Sequence, residues 1–259
     1  PGDAEVERGS GMVVLARFPG AVPAEATLIL TPATGQPQRI TLTKNLNDPV
    51  FGASLPSVQG DLKYEIEYGK SKTREFAVKV YEHPSLLRAD ATLKYPSYTG
   101  LAERKVEETR RVSAVEGTQT EYVFQLNKAV TEAHLKAANG EELVLKPHGS
   151  QSNIWVADFF LVKSARYKLF LRDADGRTNK SPDEVVLNAI ANKPPEMKLI
   201  APKGDPRVSP LEELRFEAQL TDDFGVKAYG LAYSLAGQEP KFVELGKDAE
   251  ANQKKVFQH

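Results

Sequence analysis

Along much of the chain, apolar and polar residues alternate one by one. In "LKYEIEY" the residues Leu62, Tyr64, Ile66 and Tyr68 fall on one face, and in "YKLFL" Tyr167, Leu169 and Leu171 do the same. A period of two is the mark of a half-buried β-strand, because successive side chains point to opposite sides of a sheet. Turn residues interrupt these blocks at short intervals, and 18 Gly with 17 Pro leave little room for long helices. The pattern predicts an all-β chain with helix confined to short turns.

The alternating blocks also echo one another at a spacing of roughly 105 residues, the size of a small domain. "AVPAEATL" at 21–28 returns as "AVTEAHL" at 129–135, each followed by a Gly turn and another alternating run. "FGASLPSV" at 51–58 matches "WVADFFLV" at 155–162, setting Phe51 against Trp155 and Val58 against Val162. "YEIEY" at 64–68 matches "YKLFL" at 167–171. Four blocks in one order predict tandem antiparallel β-sandwiches. Tyr64 and Tyr167 open the penultimate strand of each copy, where immunoglobulin-like sandwiches often use a tyrosine hydroxyl to fasten the corner between strands. The alternative is that each ring simply packs in its core.

A third copy begins after Pro194 and Pro195, with strands expected at 197–202, 214–220, 226–235 and 241–245. Phe257 stands where the next strand should open. The expected domains are 1–83, 84–192 and 193–259, the last lacking its final strands, so that roughly 30 further residues would follow Phe257 in a parent protein. Pro84 and the Pro194–Pro195 pair cannot donate to a continuing ladder and mark the borders. Such short linkers predict a semi-rigid rod.

Composition narrows the chemistry. Lys plus Arg number 34 against 35 Asp plus Glu, a formal charge of −1, so bulk charge draws the chain neither to nucleic acid nor to an anionic membrane. Cysteine is absent, which removes disulfides, thiolate nucleophiles and Cys-based zinc sites together. The four His residues, at 83, 134, 148 and 259, have no partner at a spacing suited to a metal or a triad. No catalytic, cofactor-binding or metal-binding residue is assigned, no cofactor and no small-molecule substrate are expected, and the chain is read as not an enzyme.

Two acidic loops and one mixed segment stand out. "RDADGRTN" at 172–179 sets Asp173, Asp175 and Asn179 around Gly176 in partial imitation of a calcium loop, but Glu184 is misplaced for the closing ligand, and Asp-Gly is a favoured turn. "TDDFGV" at 221–226 reads as a bend in the same way. "YPSYTGLAERKVEETRR" at 95–111 joins Tyr95 and Tyr98 to Arg104 and further basic residues, a possible binding surface whose charge Glu103, Glu107 and Glu108 largely offset. It is otherwise the crossover that follows the first strand of the second domain.

The sandwiches are expected to be immunoglobulin- or fibronectin-III-like, and "YPSYTGL", "VSAVEGT", "TDDFGV" and "VERGS" together resemble the extracytoplasmic immunoglobulin-like repeats of a family of uncharacterised bacterial inner-membrane proteins. The resemblance implies a periplasmic placement and a membrane anchor lying outside this chain, which opens on Pro1 as a piece of a longer protein would. The function it implies is that of an envelope scaffold or interaction rod whose partners are envelope proteins or other copies of itself. The alternative is a carbohydrate- or cell-surface-binding accessory module, which exposed aromatics clustered on one sheet face would favour.

Overall fold

The computed structural model describes residues 1–44, 50–209, 212–234, 237–249 and 255–258. Two compact units divide the chain, Pro1–His83 and Pro84–His259. The described residues are nearly all β, and the one helical element is a single 3-10 turn at Ser97–Thr99. Leu235 and His259 lie outside the described residues.

The first unit contains β1 (Ala4–Glu7), β2 (Met12–Arg17), β3 (Ala26–Pro32), β4 (Gln38–Thr41), β5 (Thr43–Lys44), β6 (Val50–Leu55), β7 (Leu62–Tyr68), β8 (Ser71–Lys72) and β9 (Phe76–Tyr81). One sheet runs β1-β9-β7-β3-β4, with β8 beside β7, and the other runs β2-β6-β5. Among the described residues there, only β1 and β9 pair in parallel, and the remaining pairs are antiparallel. Alternate residues of both sheets point into one core, with Val14, Phe51 and Leu55 from one and Leu28, Tyr64, Ile66 and Val78 from the other. That shared interior makes the pair a sandwich.

The second unit opens with β10 (Leu86–Lys94), β11 (Arg104–Val106), β12 (Arg111–Val115), β13 (Thr118–Leu126), β14 (Glu132–Ala137), β15 (Glu142–Val144), β16 (Lys146–His148), β17 (Gln151–Leu161), β18 (Ala165–Arg172) and β19 (Glu184–Ile190). These form the sheets β11-β10-β13-β17-β16 and β12-β19-β18-β14-β15. Here too the parallel pair, β12 with β19, joins an early strand to the last one. Leu28 faces Ile66 and Leu30 faces Tyr64 in the first unit, and Leu135 faces Leu169 and Ala137 faces Tyr167 in the second. Between the two sheets lie Leu93, Tyr122, Phe124, Leu135, Leu161, Leu169 and Val185, all essentially without solvent exposure.

One spacing match does not carry over. Val58 is buried, whereas Val162 is 59% exposed and its neighbour Leu161 is the buried residue. The two strands share one face parity, with Phe51 and Trp155 inward and Ala53 and Ala157 likewise, but β17 continues to Leu161 while β6 ends at Leu55, so Val58 is buried from the segment that follows its strand and the match fails at its last position.

Beyond the sandwich come β20 (Glu196–Ala201), β21 (Glu217–Thr221), β22 (Val226–Tyr233), β23 (Lys241–Ala249) and β24 (Lys255–Gln258). They form a sheet β20-β21-β24 and a separate hairpin β22-β23. Strand β21 begins three residues later than its alternation from Leu214 predicts. Among the described residues of this region only Ala218 and Leu220 are buried apolar residues; Phe216 and Leu231 are half-buried and Tyr233 is exposed.

Candidate functional site

The crossover after β10 owes its shape to two residues of that strand. Arg88 and Asp90 are two apart and therefore share the outward face. The Arg88 Nε–H donates to both Asp90 carboxylate oxygens at 2.9 Å. Asp90 Oδ1 also accepts the Glu108 backbone N–H at 2.8 Å. That bond secures Glu108 at φ +50°, a left-handed conformation that costs a non-glycine residue about 1 kcal/mol or more. Arg88 reaches on to Glu107 at 3.3 Å, and Lys105 pairs with Glu107 at 2.9 Å. Beneath them, the fully buried Tyr122 donates its hydroxyl to the Thr109 carbonyl at 2.6 Å.

Electrostatics follow this geometry. Burial by itself would raise the Asp90 carboxyl, but the Arg88 guanidinium and the Glu108 N–H outweigh it and hold the group below the usual carboxylate range. The hydrogen bond from Lys105 lowers Glu107, and the Asp90 hydrogen bond raises Arg88. Burial pushes the Tyr122 phenol well above its ordinary value. Other basic groups nearby are matched as well, Arg110 with Asp183 at 2.8 Å and Lys94 with Glu103 at 3.8 Å. The cluster therefore works as a clamp on the loop.

Of the three residues expected on a binding surface, the structure separates Tyr98 from the other two. Tyr95 is half-buried against the sandwich core. Arg104 is exposed on β11, where its backbone faces Leu93. Tyr98 sits in the 3-10 turn, which the Thr99 hydroxyl ties to the Pro96 carbonyl at 2.8 Å and Gly100 ends at φ +64°. Its ring is 49% exposed and meets Phe224 edge-on at 5.9 Å. Phe224 is delivered by the "TDDFGV" bend, where its N–H donates to Asp222 Oδ2 at 3.0 Å and Gly225 takes φ +96°. The two motifs border a cavity of about 610 Å³, lined among others by Tyr98, Phe224, Asn192, Lys193, Asp222 and Lys227. Neither Tyr95 nor Arg104 lines it. An exposed tyrosine against a half-buried phenylalanine, with amide, carboxylate and ammonium groups around them, suits a polar ligand that has an apolar face.

Tyr64, Tyr167 and Trp155, the aromatics expected to hold the sandwiches together, are all buried. Tyr64 does not clasp a strand corner, because its hydroxyl donates to the Gly2 carbonyl at 2.8 Å and accepts the Gly2 N–H at 2.9 Å, anchoring the chain segment that leads into β1. Tyr167 donates to Glu141 Oε1 at 3.2 Å, beside the turn between β14 and β15. Burial, then the Glu141 charge and hydrogen bond, push its phenol up to about 12. Trp155 lies mid-strand in β17, with its indole N–H on the Ser152 carbonyl at 3.3 Å.

The acidic loop at 172–179 is organised from within. Asp173 Oδ1 accepts the N–H groups of Asp175 and Arg177 at 3.0 and 2.8 Å, and Oδ2 takes the Lys128 ammonium at 2.7 Å. That ammonium supplies the positive charge next to a side chain only 2% exposed. Asn179 completes the loop by accepting the Leu171 N–H and donating to the Leu169 carbonyl, as a neighbouring strand would. Among the described residues no group of three or more His, Asp or Glu is placed to hold a metal ion. His134 stacks on Phe170 at 5.6 Å, His83 meets Tyr81 edge-on, and His148 is exposed in β16.

Sequence reasoning missed Asp90, Tyr122 and Lys128. Tyr122 had a local signal, its place on the buried face of the alternating "TQTEYVFQL". Lys128 had none, since its partner stands 45 residues away. No protein-family model matches this chain, and a search of curated proteins finds no match.

Proposed function

We propose that this chain is a non-enzymatic scaffold and protein-interaction module, built of tandem immunoglobulin-like or fibronectin-III-like sandwiches, from the periplasmic part of a membrane-anchored bacterial envelope protein. Its partners are envelope proteins or other copies of itself. The observation that supports this reading is where the polar chemistry goes. Asp90, Asp173, Tyr122 and Asn179 all bond to backbone groups of loops or strands, so they shape connections and are not turned toward a reacting molecule. The test is crosslinking capture from bacterial envelope extract with this chain as bait and cytosolic extract as control. Specific enrichment of an envelope protein supports the reading, and equal capture from both extracts counts against it.

The cavity beside Tyr98 and Phe224 favours a second reading, a carbohydrate-binding accessory module. Titration with soluble envelope glycans, followed by calorimetry, separates the two. Binding by the native chain and loss of binding in Tyr98→Ala would replace the scaffold reading with this one.

A further inference from the structure

Strands β10 and β20 hold equivalent places in their sheets, each pairing with the next long strand of its sheet, β13 or β21. Their outer edges differ. The outer edge of β10 is capped by β11, with Ala91 facing Val106 and Leu93 facing Arg104. Strand β20 ends its sheet, and among the described residues those following it, 202–209 and 212–216, contain no strand. Backbone donors and acceptors along such an edge are a template for another strand.

The side chains of β20 are exposed on both faces. Met197 faces Leu220 and Leu199 faces Ala218 across the ladder, so all four point to one side of the sheet. Leu220 and Ala218 are buried, yet Met197 is 67% and Leu199 51% exposed. Glu196 and Lys198, both exposed, alternate on the other side. Pro195 precedes the strand and Pro202 follows it, and neither has an N–H to extend a ladder. Any added strand is thereby confined to a short stretch.

We propose that the occupant of this edge is β20 of a second copy of this chain, paired antiparallel about Met197. In that register Glu196 of each copy lies opposite Lys198 of the other, twice by symmetry, and the two Met197 side chains meet at the centre. A parallel in-register pairing would instead set Glu against Glu and Lys against Lys, which opposes it. Because both copies use the same edge, the pairing closes as a dimer and does not propagate. This deepens the interaction reading above by naming one partner, and it rests on that reading.

Sedimentation equilibrium of the intact chain, up to roughly 0.5 mM, tests it. The native chain is expected to dimerise with concentration. Glu196→Lys and Lys198→Glu, each at an exposed position, should each weaken self-association by roughly tenfold or more, since two attractive pairs become repulsive. Mixing the two variants should restore a heterodimer, and the double swap Glu196→Lys with Lys198→Glu should dimerise as the native chain does. Circular dichroism and amide-exchange protection in β20 and β21 verify that each variant is folded. A native chain monomeric throughout, single variants that associate undiminished, or a mixture that stays monomeric would each overturn the proposal. Envelope capture by a monomeric native chain would overturn self-pairing while leaving the scaffold reading in place.

Discussion

The sandwich of β10 to β19 and the strands β20 to β24 use the same local material to different ends. The path β10-β13-β17 in one and β20-β21-β24 in the other both run from the opening strand of the region to its next long partner and on to a later return. In the first region a second five-stranded sheet covers the inner face, and Leu93, Phe124, Leu135 and Leu169 lose essentially all contact with water. In the other the described strands form a three-stranded sheet and a separate two-stranded hairpin, and apolar side chains on the edge strand stay exposed. Each fully buried Leu or Phe contributes about 1.5–3 kcal/mol, so the second sheet, more than strand formation itself, separates a stable core from a weakly held one.

The largest expected effect contrasts one core residue with one edge residue. Leu169→Ala should cost about 2–5 kcal/mol, because it empties a fully buried position, while Leu199→Ala should stay within about 0.5 kcal/mol. The single tryptophan, Trp155, lies in the sandwich and reports its urea unfolding directly. Similar losses in the two variants would break the comparison.

Next in size is the buried ion pair. Lys128→Ala leaves the Asp173 carboxylate without its cation and should cost about 1–3 kcal/mol, less than a fully enclosed pair because the ammonium is partly exposed. Burial alone would raise the Asp173 carboxyl, but Lys128 and the loop N–H groups hold it below its ordinary value of 3.8. A depressed folded value means that this stability is present above the unfolded value and is lost as pH falls through the folded one. Trp155 unfolding midpoints measured from about pH 6 to pH 2 should therefore decline on the acid side, and Asp173→Asn should flatten that decline.

The hairpin sharpens the comparison from the other side. A Cβ at Gly230 would overlap the Val243 carbonyl and the Phe242 ring across the strand pair. Gly230→Ala should destabilise β22 and β23 by on the order of 1–3 kcal/mol, seen as faster amide exchange there, with the Trp155 transition unmoved. A shift in both signals would show the two regions unfolding as one. The smallest effect lies within the sandwich, where the Thr120 hydroxyl is buried without a hydrogen-bond partner. Thr120→Val should raise stability by about 0.5–1 kcal/mol, read from the same Trp155 transition.

Much of the strand pattern was legible because it is local. Leu62, Tyr64, Ile66 and Tyr68 all lie inward in β7, fully or partly buried, as their period of two predicts, and so do Tyr167, Leu169 and Leu171 in β18. The bends at Gly176 and Gly225 were legible for the same reason, since a short Asp-containing turn is decided by its own few residues. The candidate surface was legible only in part. Tyr98 was singled out, but its neighbour Phe224 comes from a motif more than a hundred residues later, and Tyr95, three residues earlier in the same string, turns inward.

By itself the sequence determined the class of fold, all-β with helix confined to short turns, because alternation and turn chemistry act over a few residues and need no distant partner. It also determined that thiol and disulfide chemistry play no part, since cysteine is absent. Tertiary structure alone decided which alternating faces are covered, that Lys128 meets Asp173, that Tyr64 holds Gly2, and that β10 is capped while β20 is left as an edge. Burial and pairing depend on what arrives from elsewhere in the chain, and a strand carries the same period of two whether or not a second sheet comes to cover it.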